Sequence, residues 1–438
     1  MPSQRHLTIL NRLKAGFSLF RRAIASDFIR KVAETFATKL ALIGISLITS
    51  VIVARTLGPE GRGIYAVATA ISAIGVQLGN LGLHASNTYY VARDRKLLPE
   101  LVSNTLLASF GFGGIGSGLA WLVFFLWPSL APIQGLILML ALLWIPFGLA
   151  YMLLQNLLLG IHEVKSYNKI ELISKLLAIS IIGLMILVRG VQVETIFSAS
   201  LIALIISFCW VMLRLKPYFQ RLPLPSLQLF KENIYYGLKA YVAAFFAFIV
   251  LRGDLFMIQY ILGSEQAGYY SIAITIGDMI YMLPVVIGSL LFPKLSALSS
   301  KREKWNFTKR VVFGVSLIML VTIILAALVA QPIVELLFGK TFFPAVPAFL
   351  GLMPGILMLS INVVYMNYFA STGMPMITVY SPAIAALANL VLNIKIIPLL
   401  GIIGASISSS ICYSAMLGFS IFYIYKKDSY LMSTLKNQ

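Results

Sequence analysis

Apolar runs of about twenty residues, broken by short polar stretches, recur from residue 37 to residue 424. Twenty residues of α-helix rise about 30 Å, the thickness of a bilayer's hydrocarbon core. A window of that length marks about twelve spans. They lie near 37–54, 64–83, 102–127, 133–158, 170–188, 194–213, 240–261, 268–291, 311–330, 345–369, 376–394 and 401–424. The predicted fold class is an all-α integral membrane protein.

The polar breaks differ in charge. Clusters of Lys and Arg follow span 2 (Arg93, Arg95, Lys96), span 4 (Lys165, Lys169, Lys175), span 6 (Arg214, Lys216, Arg221) and span 8 (Lys301, Arg302, Lys304), and others occupy both termini. The intervening breaks hold only Arg55, Arg62, Arg189, Lys340 and Lys395. Positive residues stay on the cytoplasmic side of a membrane, so both termini are expected to be cytoplasmic, and an even span count agrees.

Composition sharpens this picture. Of 438 residues, 59% are hydrophobic and 11% charged, whereas a soluble domain averages about 25% charged. The net charge of +19 follows from the basic loops and is no nucleic-acid signal. Cys209 and Cys412 each sit in an apolar run and suggest neither a disulfide nor a metal site. The first residues are basic and too polar to hold the apolar core of a signal peptide.

Two segments are near-copies. Leu57-Gly58-Pro59-Glu60-Gly61-Arg62-Gly63-Ile64-Tyr65 and Leu262-Gly263-Ser264-Glu265-Gln266-Ala267-Gly268-Tyr269-Tyr270 share Leu-Gly-x-Glu-x-x-Gly-x-Tyr. Six spans per half make both halves start on the same side, which describes parallel repeats related by an axis along the membrane normal. The expected organisation is a basic cytoplasmic arm (1–36), a six-helix lobe (37–215), a linker (216–232) containing Pro217, Pro223 and Pro225, a second six-helix lobe (233–425) and a cytoplasmic tail (426–438).

Ionisable residues inside a span are costly, so each is a functional candidate. Arg252 and Asp278 lie about ten residues from the outer ends of spans 7 and 8, roughly 15 Å deep, where they could pair. Asp254 lies about 200° around the helix from Arg252 and cannot face it. Asp254 and Asp278 are candidates for ion coupling or for a structural pair. Arg55, at the end of span 1, could clamp a phosphate. Lys39 opens span 1 and, with Lys169, Lys175 and Lys239, would form a cationic mouth. Asn156 is one of several amides suited to sugar hydroxyls or to joining helices. Glu60 and Arg62 read as a solvated turn around Gly58 and Pro59. The three histidines are scattered, and no P-loop, HExxH or CxxC motif occurs, so neither an ATP-driven pump nor a metal or cofactor enzyme is indicated.

The segment Val53–Tyr65 resembles the first hairpin of the bacterial polysaccharide-transport, or O-antigen flippase, family. Asn389-Leu390-Val391-Leu392-Asn393, followed by Ile397-Pro398, Gly401, Gly404 and Ala405, is similar to that family as well, as is Leu336-Leu337-Phe338-Gly339. The resemblance implies the multidrug/oligosaccharidyl-lipid/polysaccharide exporter superfamily, with two six-helix lobes in a V around a central cavity. It implies a flippase for undecaprenyl-diphosphate-linked oligosaccharide in the bacterial inner membrane, working among membrane lipids and beside polysaccharide polymerase machinery, with no cofactor. A flippase for a lipid-linked peptidoglycan precursor and a multidrug or cation antiporter share the architecture and stand as alternatives. On this reading Arg252, Arg55, Lys39 and Asn156 are candidates for binding diphosphate and sugar.

Overall fold

The computed structural model describes the backbone of residues 27–219, 221 and 223–436, and side chains from Ala37 to Lys426. Most of the basic arm expected at residues 1–36, and the end of the tail, lie outside the described residues.

Every described element is helical. Helix α1 runs Asp27–Asn80 and α2 Leu83–Arg93; α3 (Leu98–Leu106) passes through a wide π turn into α4 (Gly114–Leu126). Then come α5 (Leu136–Gly160), α6 (Val164–Arg189) and α7 (Val193–Leu215). The second half holds α8 (Leu227–Leu262), α9 (Ser264–Ala297), α10 (Lys301–Leu328), the short α11 (Ala330–Phe338), α12 (Ala345–Ser371) and α13 (Ile377–Lys436).

Ten of the described stretches are long and apolar enough to cross a bilayer. Two of these are double. The apolar part of α1 has 44 residues and that of α13 has 50, and a straight 44-residue helix would reach about 66 Å, twice the membrane core. Each is broken at a glycine that no helix can contain, Gly58 at φ 68° and Gly401 at φ 60°. Contacts show the reversal in α1. Its first limb runs alongside α6, with Lys39 at Glu171 and Val53 packed beside Ile182. Its second limb runs alongside α5, with Ser72 at Ala141, Gly75 at Ile145 and Gly79 at Leu149. Because α5 and α6 are joined by a short turn, the two limbs are antiparallel. In α13, Ser381 meets Met416 and Asn389 meets Ser409, the pairing of a hairpin. The ten stretches thus make the twelve crossings that the sequence predicts.

Backbone conformation repeats with the sequence. At the end away from the basic loops, each half has three turns built on a glycine with positive φ and extended ψ: Gly58, Gly135 and Gly190, then Gly263, Gly339 and Gly401. Only glycine adopts that region without strain. The largest buried cluster joins the halves at this end, packing Val67 and Ala68 of α1 with Tyr270 and Ala273 of α9 and with Phe342 and Phe349. Large apolar side chains such as Leu187, Phe313 and Leu328 remain outside and face the lipid-bearing perimeter.

Candidate functional site: a charged cavity between the lobes

A cavity of about 770 Å³ lies among α1, α5, α6 and α7 on one side and α8 and α9 on the other. Four cations, Lys39, Arg62, Lys175 and Arg252, line it against two carboxylates, Glu171 and Asp278. Serine and threonine hydroxyls, Gln155 and the rings of Tyr65, Trp144 and Tyr151 supply the rest of its polar and aromatic wall.

Near the basic end, Lys39 Nζ stands 3.0 Å from Glu171 Oε1 and 5.8 Å from the ring centre of Tyr167. In the second half, Arg252 Nη2 donates to Asp278 Oδ2 at 2.7 Å. Their side chains keep 31% and 42% of their accessibility, so the pair is open to the cavity rather than sealed between helices.

The deepest cation is Arg62, one turn into the second limb of α1 and only 8% exposed. It is no solvated turn residue, and that expectation is corrected. Gly58 ends the first limb three positions before Gly61, so the chain is already helical at Arg62, and its side chain is directed inward onto α9. Its Nε donates to Ser271 Oγ at 3.1 Å and its Nη2 to Thr275 Oγ1 at 3.3 Å, while its guanidinium sits 5.8 Å from the ring centre of Tyr65. Among the described residues Arg62 forms no ion pair. A buried cation held only by neutral hydroxyls keeps much of its desolvation cost uncompensated, and its fork suits a phosphate oxygen pair.

Three other predicted residues lie elsewhere. Arg55 is outside the cavity, where Nε and Nη2 donate to the carbonyls of Leu337 at 2.8 Å and Leu336 at 2.5 Å, closing the C-terminus of α11. Asn156 does not line it either: its side-chain amide donates to the Met152 carbonyl at 2.8 Å, and its main-chain carbonyl accepts from the Thr88 hydroxyl at 3.1 Å. Its neighbour Gln155, about 100° around the helix, is the amide that lines the cavity. Asp254 is 2% exposed, away from the cavity, and enclosed by donors: Tyr270 Oη at 2.8 Å, Asn393 Nδ2 at 2.7 Å, and the Ser409 hydroxyl.

The lobes meet tightly at the end away from the basic loops. A Cβ added to Gly63 would lie 1.8 Å from the Ser264 carbonyl oxygen, and one added to Gly268 would lie 1.9 Å from that of Pro59. These two glycines occupy the same position of the repeated motif. Tyr260 donates to the Leu130 carbonyl and Gln259 to that of Pro132 at 3.0 Å. At the basic end, α2 meets α8 through Asn233 to Asn87 at 3.0 Å and the stacked rings of Tyr89 and Tyr236, 4.4 Å apart.

Comparison with known proteins agrees with this architecture. The model of the family described as "Polysaccharide biosynthesis protein" matches residues 28–299. An uncharacterized membrane protein of Methanocaldococcus jannaschii is 30% identical over 46% of this chain and 40% of its own length. A probable low-salt glycan biosynthesis flippase of Haloferax volcanii is 19% identical over 53% of this chain and 49% of its own. The chain thus spans less than half the length of the curated relatives it matches. Among solved structures, an inward-facing multidrug resistance MATE family transporter of the MOP superfamily superposes with a TM-score of 0.70 at 16% identity, over 89% of this chain and 95% of that one. The lipid II flippase MurJ, in an inward closed conformation, gives 0.70 at 15% identity over 90% and 87%. At these identities the likeness is one of fold, two lobes around a central cavity. With its family match covering more than half of its length, the chain belongs to the polysaccharide biosynthesis protein family and is a multi-pass membrane protein of the two-lobe MOP fold.

Proposed function

We propose that this protein is a flippase that carries undecaprenyl-diphosphate-linked oligosaccharide across the bacterial inner membrane, for surface polysaccharide synthesis. One observation carries the reading: a buried arginine, Arg62, without a counter-ion among the described residues, at the far end of a cavity with four cations and two carboxylates. A diphosphate supplies the missing anion, and the guanidinium offsets the cost of taking it out of water. The hydroxyls, Gln155 and the aromatic faces suit a glycan. A cation antiporter would need the opposite excess of charge. The basic loops are the cytoplasmic side. The contacts around Gly63 and Gly268 then close the outer end, and rocking of the lobes moves access from one side to the other.

Ser271 and Thr275, which hold Arg62, belong to the second half of the chain. A phosphate that took over the guanidinium would compete with those inter-lobe bonds, coupling substrate arrival to release of the outer contact. Asp254 and Asp278 are the candidate coupling carboxylates. Asp254 is the better placed of the two, because it is buried within the second lobe with no cation at ion-pair distance among the described residues, whereas Asp278 is already paired with Arg252.

The test is export in cells carrying Arg62→Ala, Arg62→Lys or Arg252→Ala at equal membrane levels, scored as lipid-linked oligosaccharide on each face of the membrane. Arg62→Ala is expected to leave the glycolipid on the cytoplasmic face and to lower export at least about tenfold, the equivalent of one lost charge-assisted hydrogen bond. Arg62→Lys should recover part of it. Normal sidedness in Arg62→Ala and Arg252→Ala alike would overturn the reading.

A further inference from the structure

The second lobe contains a cavity of its own, of about 250 Å³. It stands where the basic end of the charged cavity stands in the first lobe. Repeat positions make the correspondence residue by residue. Gly58 and Gly263 fix an offset of 205 for the first two crossings of each half. Asn156 and Asn367 fix an offset of 211 for the fourth crossings, each amide donating to the carbonyl four residues before it, and Gly190 and Gly401 give the same offset for the last turn. On these offsets Lys39 corresponds to Ala244, Leu42 to Ala247, Ser46 to Leu251, Tyr151 to Asn362, Gln155 to Met366 and Glu171 to Pro382. All six residues of the first set line the charged cavity and all six of the second line the smaller one.

The lining has changed character between the copies. A lysine, a glutamate and a glutamine have become Ala244, Pro382 and Met366. Ala240, Ala243, Ala244 and Ala247 form a stripe on one face of α8 that would let another helix approach closely, yet a cavity lies against it. Met366, Met374 and Met416 complete the wall with side chains that adapt to an irregular occupant. The two cavities are neighbours: Leu251 and Tyr281 line both, and the next residue after Leu251 is Arg252.

We propose that the second-lobe cavity is a binding site for an aliphatic isoprenoid chain, holding the lipid segment next to the phosphates while the charged cavity holds the phosphates and sugars. The inference deepens the flippase reading and rests on it for the identity of the head group. The substrate is amphiphilic, and the protein offers a cationic and an apolar chamber separated by the side chains of Leu251 and Tyr281. Only the distal chain then remains in the bilayer. The first isoprene units cross past Tyr281 as the head group settles near Arg252.

The experiment uses the full chain in lipid nanodiscs and two photoreactive fifteen-carbon isoprenoid probes, one bearing a diphosphate and one an alcohol, with labelled residues mapped by mass spectrometry. The diphosphate probe is expected to label the Ala243–Val250 stretch of α8 and the region of Met416, and Ala247→Phe is expected to lower that labelling about tenfold by filling the chamber. Met366→Trp fills it from α12 and should do the same, and the mapping in the unaltered protein needs no variant. Labelling confined to lipid-facing residues such as Phe313 or Leu328, unchanged by Ala247→Phe, would overturn the inference. The head-group reading would survive that result if inorganic diphosphate still competed. Equal labelling of the chamber by both probes, with no effect of Arg62→Ala, would establish an isoprenoid site and sink the head-group reading instead.

Discussion

Arg62, Arg252 and Asp254 are held in three ways. Arg252 has a carboxylate partner and water access, Arg62 has hydroxyls only, and Asp254 has donors on all sides and no cation within ion-pair distance among the described residues. These settings give different expectations. The Arg252–Asp278 pair is part-buried, and Asp278→Asn leaves Arg252 without its carboxylate, so a transport defect in that variant reports function where membrane level and thermal unfolding match the parent. Asp254→Asn keeps the shape of its pocket but removes the group that a coupling ion would neutralise. Transport in reconstituted vesicles is expected to lose its dependence on an imposed ion gradient while thermal unfolding stays within a few degrees. Undiminished gradient dependence would discard Asp254 as the coupling residue. Arg252 and Asp278 were legible in the sequence because depth can be counted from the turn between two spans. Arg62 was not, because the glycines and proline around it read as loop, although Gly58 alone makes the turn. Asn156 was one position from the residue that lines the cavity, a distinction that needs the rotation of α5 against its neighbours.

Elements depend on a few fixed positions. The seam between the second limb of α1 and α9 has no space for a methyl group at Gly63 or Gly268. Gly63→Ala is expected to keep the lobes apart at that end. A cysteine at Thr69 would then react with a membrane-impermeant thiol reagent, added on the side away from the basic loops, several times faster than in the parent. An unchanged rate would show that the seam yields without opening. At the basic end, Glu163 precedes α6 and ties it to α7. It accepts from Ser166 at 2.6 Å, from Tyr218 at 3.0 Å and from Arg214 at 3.1 Å. Those bonds, the one from Ser166 foremost, hold its carboxyl below the usual range. A lowered value means that the unfolded chain binds this proton more readily. The stabilisation is therefore complete above the ordinary carboxylate range and is lost as the pH falls through the lowered value. Glu163→Gln should flatten that acid limb in a melting series, and an identical limb would assign the pH dependence to other groups. Both long helices were legible as separate spans, since a bilayer sets the length of a crossing. The short α11 and the alignment of α2 against α8 were not, because they are fixed by contacts between distant parts of the chain.

Across the whole molecule a matched pair of side-chain grips joins the halves at the end away from the basic loops. Arg55 ends the first crossing of its half and Tyr260 the corresponding crossing of the other, 205 positions later. Each donates to carbonyls between the third and fourth crossings of the opposite half, Leu336 and Leu337 in one case and Leu130 in the other. Arg55 thus joins the two halves and does not line the cavity. Removing both grips in Arg55→Ala/Tyr260→Phe should cost the closed form about 2 kcal/mol, near thirtyfold in the balance between forms. The same labelling at Thr69 reads that shift, and a double variant no more reactive than either single one would show that one grip suffices.

The contact of Gly63 with Gly268 carries a consequence for ancestry. When a position in one copy meets its own counterpart in the other, the surface is self-complementary, as in a twofold homodimer. A half-length ancestor with this glycine could have assembled in pairs through the same seam. A homodimer, however, must line both of its chambers identically, and every substitution falls on both. Joining the copies in one polypeptide removes that constraint while the seam keeps its symmetry. One chamber could then retain Lys39 and Glu171 as the other accepted Ala244 and Pro382, and an asymmetric passenger could be met by an asymmetric host.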